Sequence, residues 1–376
     1  MVQEEIAKLG PAWINHEGEK VRQEFLKVLA RNKKPVPLKT TPGVPRDHVT
    51  FSRQESLMFP PTISPCPRGE VPVIEFNLEN ENFFLHTEDG EQGRVPVLLI
   101  RPVGQIVKRP AVVFLHSTGR RKEFWRPYME VCTLKTAFAA RGYVAVAIDS
   151  RYHGERAASV NSYNEALISA WRKGDEMPFI FDTVWDLTKL VDYLSERRDV
   201  DLARIGALGI SLGGMHAWFA AVADPRIAVV VPIIGVQNFR WAVVNEMWHA
   251  RVQSIPHAFE VAKEDLGKPT VDAETVTAVW QRIAPGLIDK FDAEHTIRTI
   301  APRPLLVING ERDSRCPLKG LEKVVMEVAE IYKAARVPEH FKFKAEEGVD
   351  HEFCESMGYD ASVWMDHFLK PDKPLS

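Results

Sequence analysis

The stretch Gly209-Ile210-Ser211-Leu212-Gly213-Gly214 ends an apolar run, Ile205–Ile210, and precedes a helical pattern over Met215–Val222. A G-x-S-x-G pattern between a strand and a helix is typical of a tight turn that exposes a nucleophilic serine above a sheet. Large side chains two residues before or after the serine would collide, and both positions are glycine. The stretch therefore predicts Ser211 as a nucleophile, although a glycine-rich turn with an incidental serine stays open on this stretch alone.

Unbroken apolar runs recur along the chain on both sides of this turn. They are Ala111–Leu115, Tyr143–Ile148, Ile227–Ile234 and Leu305–Ile308, and helical patterns such as Phe181–Leu194 lie between them. Such runs are typical of strands that are buried on both faces. Their alternation with helices predicts an α/β fold with a mostly parallel, doubly wound sheet. We expect Val73–Leu78 and Val95–Ile100 to add antiparallel edge strands.

The remaining segments predict what surrounds the sheet. Apolar residues at helical spacing predict an N-terminal arm over residues 1–34. Two proline-rich connectors follow, at 35–45 and 60–72, where we expect neither helix nor sheet. The interval from Ile234 to Leu305 is longer than a crossover helix needs, so we expect a helical cap over the sheet. The predicted units are arm and connector 1–70, core 71–235, cap 236–299 and core 300–376.

A serine nucleophile needs a base, and the base needs a carboxylate that orients it. Asp313 follows the apolar strand over 304–310, and His351 follows a short strand over 341–344. Ser, Asp and His stand in the chain order that accompanies this kind of turn. Each residue alone has a plainer explanation, but together they predict a catalytic triad. Two other acids are nearby, Glu311 and Asp350, and Asp350 adjoins the histidine too closely to orient its ring.

Acyl transfer also needs two backbone N–H groups that stabilise the developing oxyanion. We expect one from Leu212, directly after the nucleophile, and the other from Ser117 or Thr118 in the loop after Ala111–Leu115. No zinc-ligand spacing, H-E-x-x-H or G-x-G-x-x-G motif is present, so we expect no metal and no cofactor.

At this point the chain resembles the α/β-hydrolase superfamily over roughly residues 71–370. Within it, His116 to Thr118 and the stretch Asp149-Ser150-Arg151-Tyr152-His153-Gly154 are similar to dienelactone hydrolases, acetyl xylan esterases and prolyl-oligopeptidase catalytic domains. These often have His-Gly before the oxyanion residue and an Asp-x-Arg-x-x-Gly strand end, and Ser117 here replaces that glycine. The resemblance implies an α/β-hydrolase fold with a cap, and cleavage of a carboxylic ester or thioester.

Other functions remain open at this stage. An acyltransferase or a lyase uses the same triad, and so does a small peptidase or amidase. Prolyl-oligopeptidase relatives usually carry a large β-propeller, for which the residues before the core are too few. A non-catalytic receptor on this fold would be expected to lack part of the triad.

Four residues are candidates for substrate contacts: His116, Arg151, Trp241 and Trp248. Arg151, with Arg156 and the basic stretch 120–122, would suit an acidic substrate, but pairing with Glu123 or Glu155 is the commoner arrangement. The tryptophans belong to the expected cap, whose helical segments lie near 240–252 and 275–288. Aromatic residues there line a pocket or form the core of the cap.

The net charge of -3 over 376 residues gives no general attraction to nucleic acid or anionic lipid. The N-terminus lacks a signal-peptide pattern, and the longest apolar stretch is too short to span a bilayer. We therefore expect a cytoplasmic protein with reduced cysteines that acts on a small-molecule ester, without nucleic-acid or membrane partners. The oligomeric state stays open.

Overall fold

The computed structural model describes residues 17–43, 77–130 and 137–369. A nine-stranded sheet runs through these residues. Its strands, in chain order, are β1 (Pro35–Pro42), β2 (Leu78–Glu88), β3 (Arg94–Pro102), β4 (Arg109–Leu115), β5 (Val144–Ile148), β6 (Val200–Ile210), β7 (Ile227–Ile233), β8 (Leu305–Gly310) and β9 (Phe341–Glu346). In space their order is β1-β2-β3-β5-β4-β6-β7-β8-β9. The first three pairs are antiparallel and all later pairs are parallel, which confirms the predicted α/β fold.

Helices cover both faces of this sheet. They are α1 (17–29), α2 (Arg126–Glu130), α3 (Ser162–Lys173), α4 (Phe181–Glu196), α5 (Leu212–Ala223), α6 (Phe239–Val244), α7 (His249–Val252), α8 (Pro256–Asp265), α9 (Ala273–Ile283), α10 (Ala293–Thr296), α11 (Glu322–Ala334) and α12 (Glu355–Leu369). Alternate residues of β4 face opposite sides, so Val113 packs with α4 and α5 while Phe114 packs with α12. Of the helices in the described ranges, none is long and apolar enough to cross a membrane.

The predicted N-terminal arm is helical over 17–29, and its first 16 residues lie outside the described part of the chain. Its C-terminal half belongs to the core. Phe25 is fully buried, with its ring centroid 4.9 Å from that of Phe181, 5.5 Å from Phe219 and 5.0 Å from Phe291. The helix therefore stabilises α4 and α5, which flank the central strands.

The expectation of no sheet in the first proline-rich connector is wrong, because Pro35–Pro42 forms β1. The strand lies at the edge of the sheet, where a missing N–H costs no ladder hydrogen bond on the open side. Its register with β2 shifts between Pro35 and Lys39, which takes Pro37 out of the ladder. The second connector and all of Val73–Leu78 except its last two residues lie outside the described ranges. Val95–Ile100 lies in β3, which is antiparallel as predicted but is an inner strand between β2 and β5, not an edge strand.

The interval between β7 and β8 holds five helices, α6 to α10. The predicted helical segments correspond to α6 with α7 and to α9, while α8 was not predicted. Asp292, fully buried, joins the two ends of this interval. Its carboxylate accepts hydrogen bonds from the backbone N–H groups of Phe239 (2.9 Å) and Arg240 (2.7 Å) in α6, and of Ala293 (2.8 Å) in α10. One carboxylate thus caps two helix N-termini.

A second insertion supports the cap. The connection from β5 to α4 contains α3, which packs against α8 and α9. The Trp171 indole donates a hydrogen bond to Asp265 (3.0 Å), and Arg282 Nε donates to the Trp171 carbonyl (3.0 Å). These contacts fasten the cap to the connection between β5 and α4.

A buried ion-pair network holds the connection after β5. Asp186 of α4 is fully buried and receives Nε and Nη2 of Arg151, both at 2.9 Å, and Nη2 of Arg156 at 2.8 Å. Arg151 also pairs with Glu88 of β2 at 2.5 Å. Because the charges are matched inside the protein, the network fastens β2, the β5 loop and α4 together.

Asp186→Asn is expected to lower the free energy of unfolding by about 3–5 kcal/mol, because it removes the negative charge that the buried guanidinium groups of Arg151 and Arg156 share. Urea unfolding followed by circular dichroism measures the change. The matched control is Asp192→Asn on the same helix, whose partly exposed carboxylate pairs with Arg226 and is expected to contribute only about 0–1 kcal/mol. Equal, small losses for both variants would contradict this account of the network.

Candidate active site

Ser211 lies in a strained turn between β6 and α5, with φ 54° and ψ -112°. Positive φ is rare for a residue with a side chain, and it clusters at functional sites. Hydrogen bonds on both sides hold the turn, because Ser211 N donates to the Ile233 carbonyl (2.8 Å) and Met215 N donates to the Ser211 carbonyl (2.9 Å). The turn places the hydroxyl at the carboxyl edge of the sheet, where ligands bind in open α/β folds.

Two glycines make this turn possible. A Cβ added at Gly209 would lie 2.1 Å from the Gly213 carbonyl oxygen, and one added at Gly213 would lie 2.1 Å from the Leu115 carbonyl oxygen. No side chain fits at such distances. The first turn of α5 therefore packs directly against the end of β4, which brings the loop after β4 next to Ser211.

The structure brings Ser211, His351 and Asp313 into one hydrogen-bonded chain. Ser211 Oγ lies 2.8 Å from His351 Nε2, and His351 Nδ1 lies 2.7 Å from Asp313 Oδ2. The other oxygen of Asp313 accepts hydrogen bonds from the backbone N–H groups of Arg315 (2.8 Å) and Cys316 (3.1 Å). These bonds hold the carboxylate in place beside the imidazole.

The two competing acids take no part in this chain. Glu311 is exposed and accepts a hydrogen bond from the Gly348 backbone N–H (2.8 Å). Asp350 is also exposed. The geometry is therefore that of a triad with Asp313 as its acid.

Burial sets the ionisation of the triad. It lowers the pKa of His351, and although Asp313 opposes this shift, the pKa stays below its usual value. Burial raises the pKa of Asp313, but the hydrogen bond and charge of His351, with the charge of Arg251, outweigh burial and hold it below its usual value. At neutral pH the imidazole is therefore neutral, with Nε2 free to accept the Ser211 proton while Nδ1–H donates to Asp313.

The loop after β4 is anchored through its histidine. His116 is fully buried, its Nδ1 donates to the Ser117 carbonyl (2.8 Å) and its Nε2 accepts from the Ser150 backbone N–H (3.0 Å). Both ring nitrogens are thus occupied, so the expected substrate contact of His116 is replaced by a positioning role. Leu212 opens α5, and its N–H has no partner in the helix ladder. Ser117 and Thr118 both remain candidates for the second oxyanion donor.

The Asp-x-Arg-x-x-Gly stretch holds the same loop from the other side. The Asp149 carboxylate accepts hydrogen bonds from the backbone N–H groups of Lys122 (2.7 Å) and Glu155 (2.9 Å). Gly154 has φ 52°, and a Cβ there would lie 2.3 Å from Asp149 Cγ. Because residue 154 is glycine, the Asp149 carboxylate has room to bind the loop after β4 at Lys122.

Arg151 does not suit the substrate contact expected for it, because Asp186 and Glu88 bind its guanidinium and the residue is only 2% exposed. Glu123 and Glu155 pair with the basic stretch, as the commoner arrangement predicts. Both contact Lys122, Glu123 at 2.9 Å and Glu155 more closely. The basic stretch thus contributes to the fold of the loop.

The two cap tryptophans have partners within the protein. Trp241 lies against Gly320, where an added Cβ would approach the indole to 2.7 Å. Trp248 is buried, donates through Nε1 to Glu246 (3.1 Å) and stacks on the ring of His249. Their roles in substrate selection remain predictions.

Arg251 of α7 is a residue near the triad that the sequence patterns did not single out. It is 4% exposed, and its Nη2 lies 3.3 Å from Cys316 Sγ. An arginine in a helical segment usually lies on the solvent side, so the pattern carries no signal of its burial.

Single ligand atoms of Asp313, Cys316 and His351 lie within 4.8 Å of one another, close enough to bind a metal ion. The surrounding charges oppose a cation, since Arg251 contacts the sulfur. Burial raises the pKa of the Cys316 thiol, which disfavours the thiolate that a metal requires. These residues fit a hydrogen-bonded triad better than a metal site.

A family model described as the alpha/beta hydrolase family matches residues 112–361. YtaP of Bacillus subtilis (strain 168), provisionally named a hydrolase, is 25% identical over 248 residues, which are 64% of this chain and 72% of YtaP. YitV of the same strain, provisionally named an esterase, is 22% identical over 262 residues, 69% of this chain and 89% of YitV.

Among solved structures, acetyl xylan esterase 1 from Thermoanaerobacterium sp. JW/SL YS485 has a similar fold. The TM-score is 0.56 at 16% sequence identity, over 97% of this chain and 98% of the esterase. At this level of sequence identity the likeness shows a shared fold.

Asp313→Asn is expected to reduce kcat by at least about 100-fold, because an amide no longer fixes the imidazole tautomer or stabilises the imidazolium. Steady-state ester cleavage measures the loss. Glu311→Gln, in the same turn but exposed, is the control and is expected to keep near-normal kcat. A dead Glu311→Gln beside an active Asp313→Asn would reverse the assignment.

The pH dependence of kcat/KM is expected to report the lowered pKa of His351. The base must be neutral, so kcat/KM falls as pH falls through this pKa, and the midpoint of the acid limb lies below 6.5, the ordinary value. Initial rates between pH 4.5 and 8 in one buffer series, on a substrate that does not itself titrate, locate the midpoint. A midpoint above 6.5 contradicts a base kept neutral by burial.

Proposed function

Because the chain belongs to the α/β hydrolase family, we propose that it is a serine esterase that cleaves a carboxylic ester or thioester. The observation that carries the proposal is the chain of hydrogen bonds from Ser211 Oγ through His351 to Asp313, at 2.8 and 2.7 Å. A serine hydroxyl that lies at the N-terminus of a helix and is hydrogen-bonded to a histidine suits acyl transfer, with the second N–H donor expected from the loop after β4. The esterase and hydrolase names of the relatives support this reaction class.

In the proposed reaction, Ser211 Oγ attacks the ester carbonyl carbon while its proton passes to His351 Nε2. Asp313 stabilises the imidazolium, and the carbonyl oxygen becomes an oxyanion bound by Leu212 N–H and by Ser117 or Thr118 N–H. The tetrahedral intermediate collapses, the C–O bond to the alcohol breaks, and the alcohol leaves with the proton from Nε2. An acyl-Ser211 ester remains.

Water completes the cycle by the same route. His351 takes a proton from water as the hydroxide attacks the acyl carbon, and the second intermediate releases the acid and restores the Ser211 hydroxyl with the proton from Nε2. Ser211 is only 8% exposed. Such an enclosed hydroxyl favours an ester of modest size and limits access of bulk water.

We expect a fluorophosphonate probe to modify Ser211 covalently, because it reacts with serines that a neighbouring base activates. Ser211→Ala is expected to abolish both labelling and the cleavage of short-chain esters, measured by mass spectrometry and initial rates. Ser356→Ala is the matched control, since this serine contacts Glu346 at an exposed position. Undiminished turnover by Ser211→Ala would end the serine-esterase proposal.

A further inference from the structure

Arg251 is a buried cation whose hydrogen-bond partners are all neutral. Nε donates to Gln237 Oε1 (3.3 Å), and Nη2 to the Arg315 carbonyl (3.4 Å) and Cys316 Sγ (3.3 Å). The two contacts to oxygen are long for a guanidinium. Within residues 17–43, 77–130 and 137–369, no carboxylate lies within ion-pair distance of it. Buried arginines are normally paired, so this residue lacks the anion that its position calls for.

This cation lies beside the triad. Cys316 Sγ, which it contacts, is within 4.8 Å of ligand atoms of Asp313 and His351. Gln237, its other partner, reaches the sulfur of Met215 (3.9 Å) in the first turn of α5, directly behind the nucleophile. Arg251 therefore connects α7 with the loop after β8 and, through Gln237, with the first turn of α5.

A second cation adds to the imbalance. Arg315 is partly buried, and within the described residues its guanidinium has no hydrogen-bond partner. Burial and the charge of Arg251 both lower the pKa of Arg315, so the two guanidiniums feel each other. The carboxylate that both of them sense is Asp313, which His351 already binds. The neighbourhood of the triad thus carries surplus positive charge, as an anion-binding site does.

We propose that Arg251 and Arg315 form an anion subsite, and that the preferred substrates are esters that carry a carboxylate in their acyl or alcohol part. The proposal rests on the proposed esterase function. A guanidinium binds a carboxylate through two parallel N–H···O bonds, and exclusion of water strengthens them. A substrate carboxylate supplies the negative charge that the protein leaves out, and it orients the ester carbonyl toward Ser211.

Two matched ester pairs test the subsite. Monoethyl succinate against ethyl butyrate places the carboxylate in the acyl part, and acetoxyacetate against 2-methoxyethyl acetate places it in the alcohol part. Titration of the released acid at constant pH gives kcat/KM for each. We expect at least about tenfold preference for the anionic member of one pair, which corresponds to one charge-assisted contact.

Arg251→Gln is expected to remove most of that preference, chiefly through a higher KM for the anionic ester, so that kcat/KM falls several-fold more for the anionic ester than for its neutral partner. Arg251→Lys keeps the charge and is expected to retain part of the preference. The control is Arg240→Gln in α6. This arginine is exposed, and its Nη1 lies 3.8 Å from Asp289 Oδ1. It is expected to leave both esters unchanged, since an exposed charge adds little.

The proposal is overturned if the wild-type protein prefers the neutral ester of both pairs, or if Arg251→Gln slows both esters equally. If that variant does not fold, the wild-type protein still decides, because succinate should slow fluorophosphonate labelling of Ser211 while succinamide should not. Equal effects of the two compounds overturn the subsite. Absence of any labelling contradicts the esterase proposal instead, and calorimetric titration with succinate then tests the subsite by itself.

Discussion

The site depends on one steric constraint, the absence of space for a side chain between the first turn of α5 and the end of β4. An added Cβ at Gly213 would lie only 2.1 Å from the Leu115 carbonyl oxygen. The contact holds the β4 loop against the Ser211 turn, and the backbone N–H groups that we propose as oxyanion donors lie in these two segments. His116 and Asp149 then lock the loop from behind, through hydrogen bonds to Ser150 and Lys122.

The strained turn persists because rigid packing surrounds it. All residues of α5, from Leu212 to Ala223, are buried. The neighbouring strand end is also strained, since Ile234, a β-branched residue, has φ 43°. Its carbonyl accepts the Cys316 thiol (3.5 Å) and its N–H donates to the Ile308 carbonyl (2.7 Å). Two strained positions at adjacent strand ends are held by the core; Ser211 belongs to the triad, and Ile234 contacts Cys316 beside it.

Sequence patterns predicted what depends on local order. Apolar runs located the central strands, and the chain order of Ser211, Asp313 and His351 placed three strand ends at one sheet edge. What they missed depends on contacts distant in sequence. Pro35–Pro42 forms a strand because it pairs with the edge of β2. Similarly, α3 packs against α8 and α9, which are distant from it in sequence. The burial of Arg251 likewise results from contacts between α7 and the loop after β8, and a local sequence pattern does not reveal such contacts.

Two arginines show how charge balance separates a structural role from a binding role. Arg151 follows a strand end at the ligand-binding edge, where its position in the sequence favours an anion receptor, yet Asp186 and Glu88 neutralise it within the protein. Arg251 has an unremarkable place in a cap helix, yet its partners in the described residues are neutral. A buried charge that the fold neutralises contributes to the fold. A buried charge that the fold leaves unmatched beside a reactive group calls for its counter-charge from outside the chain, and the substrate is the molecule that enters there.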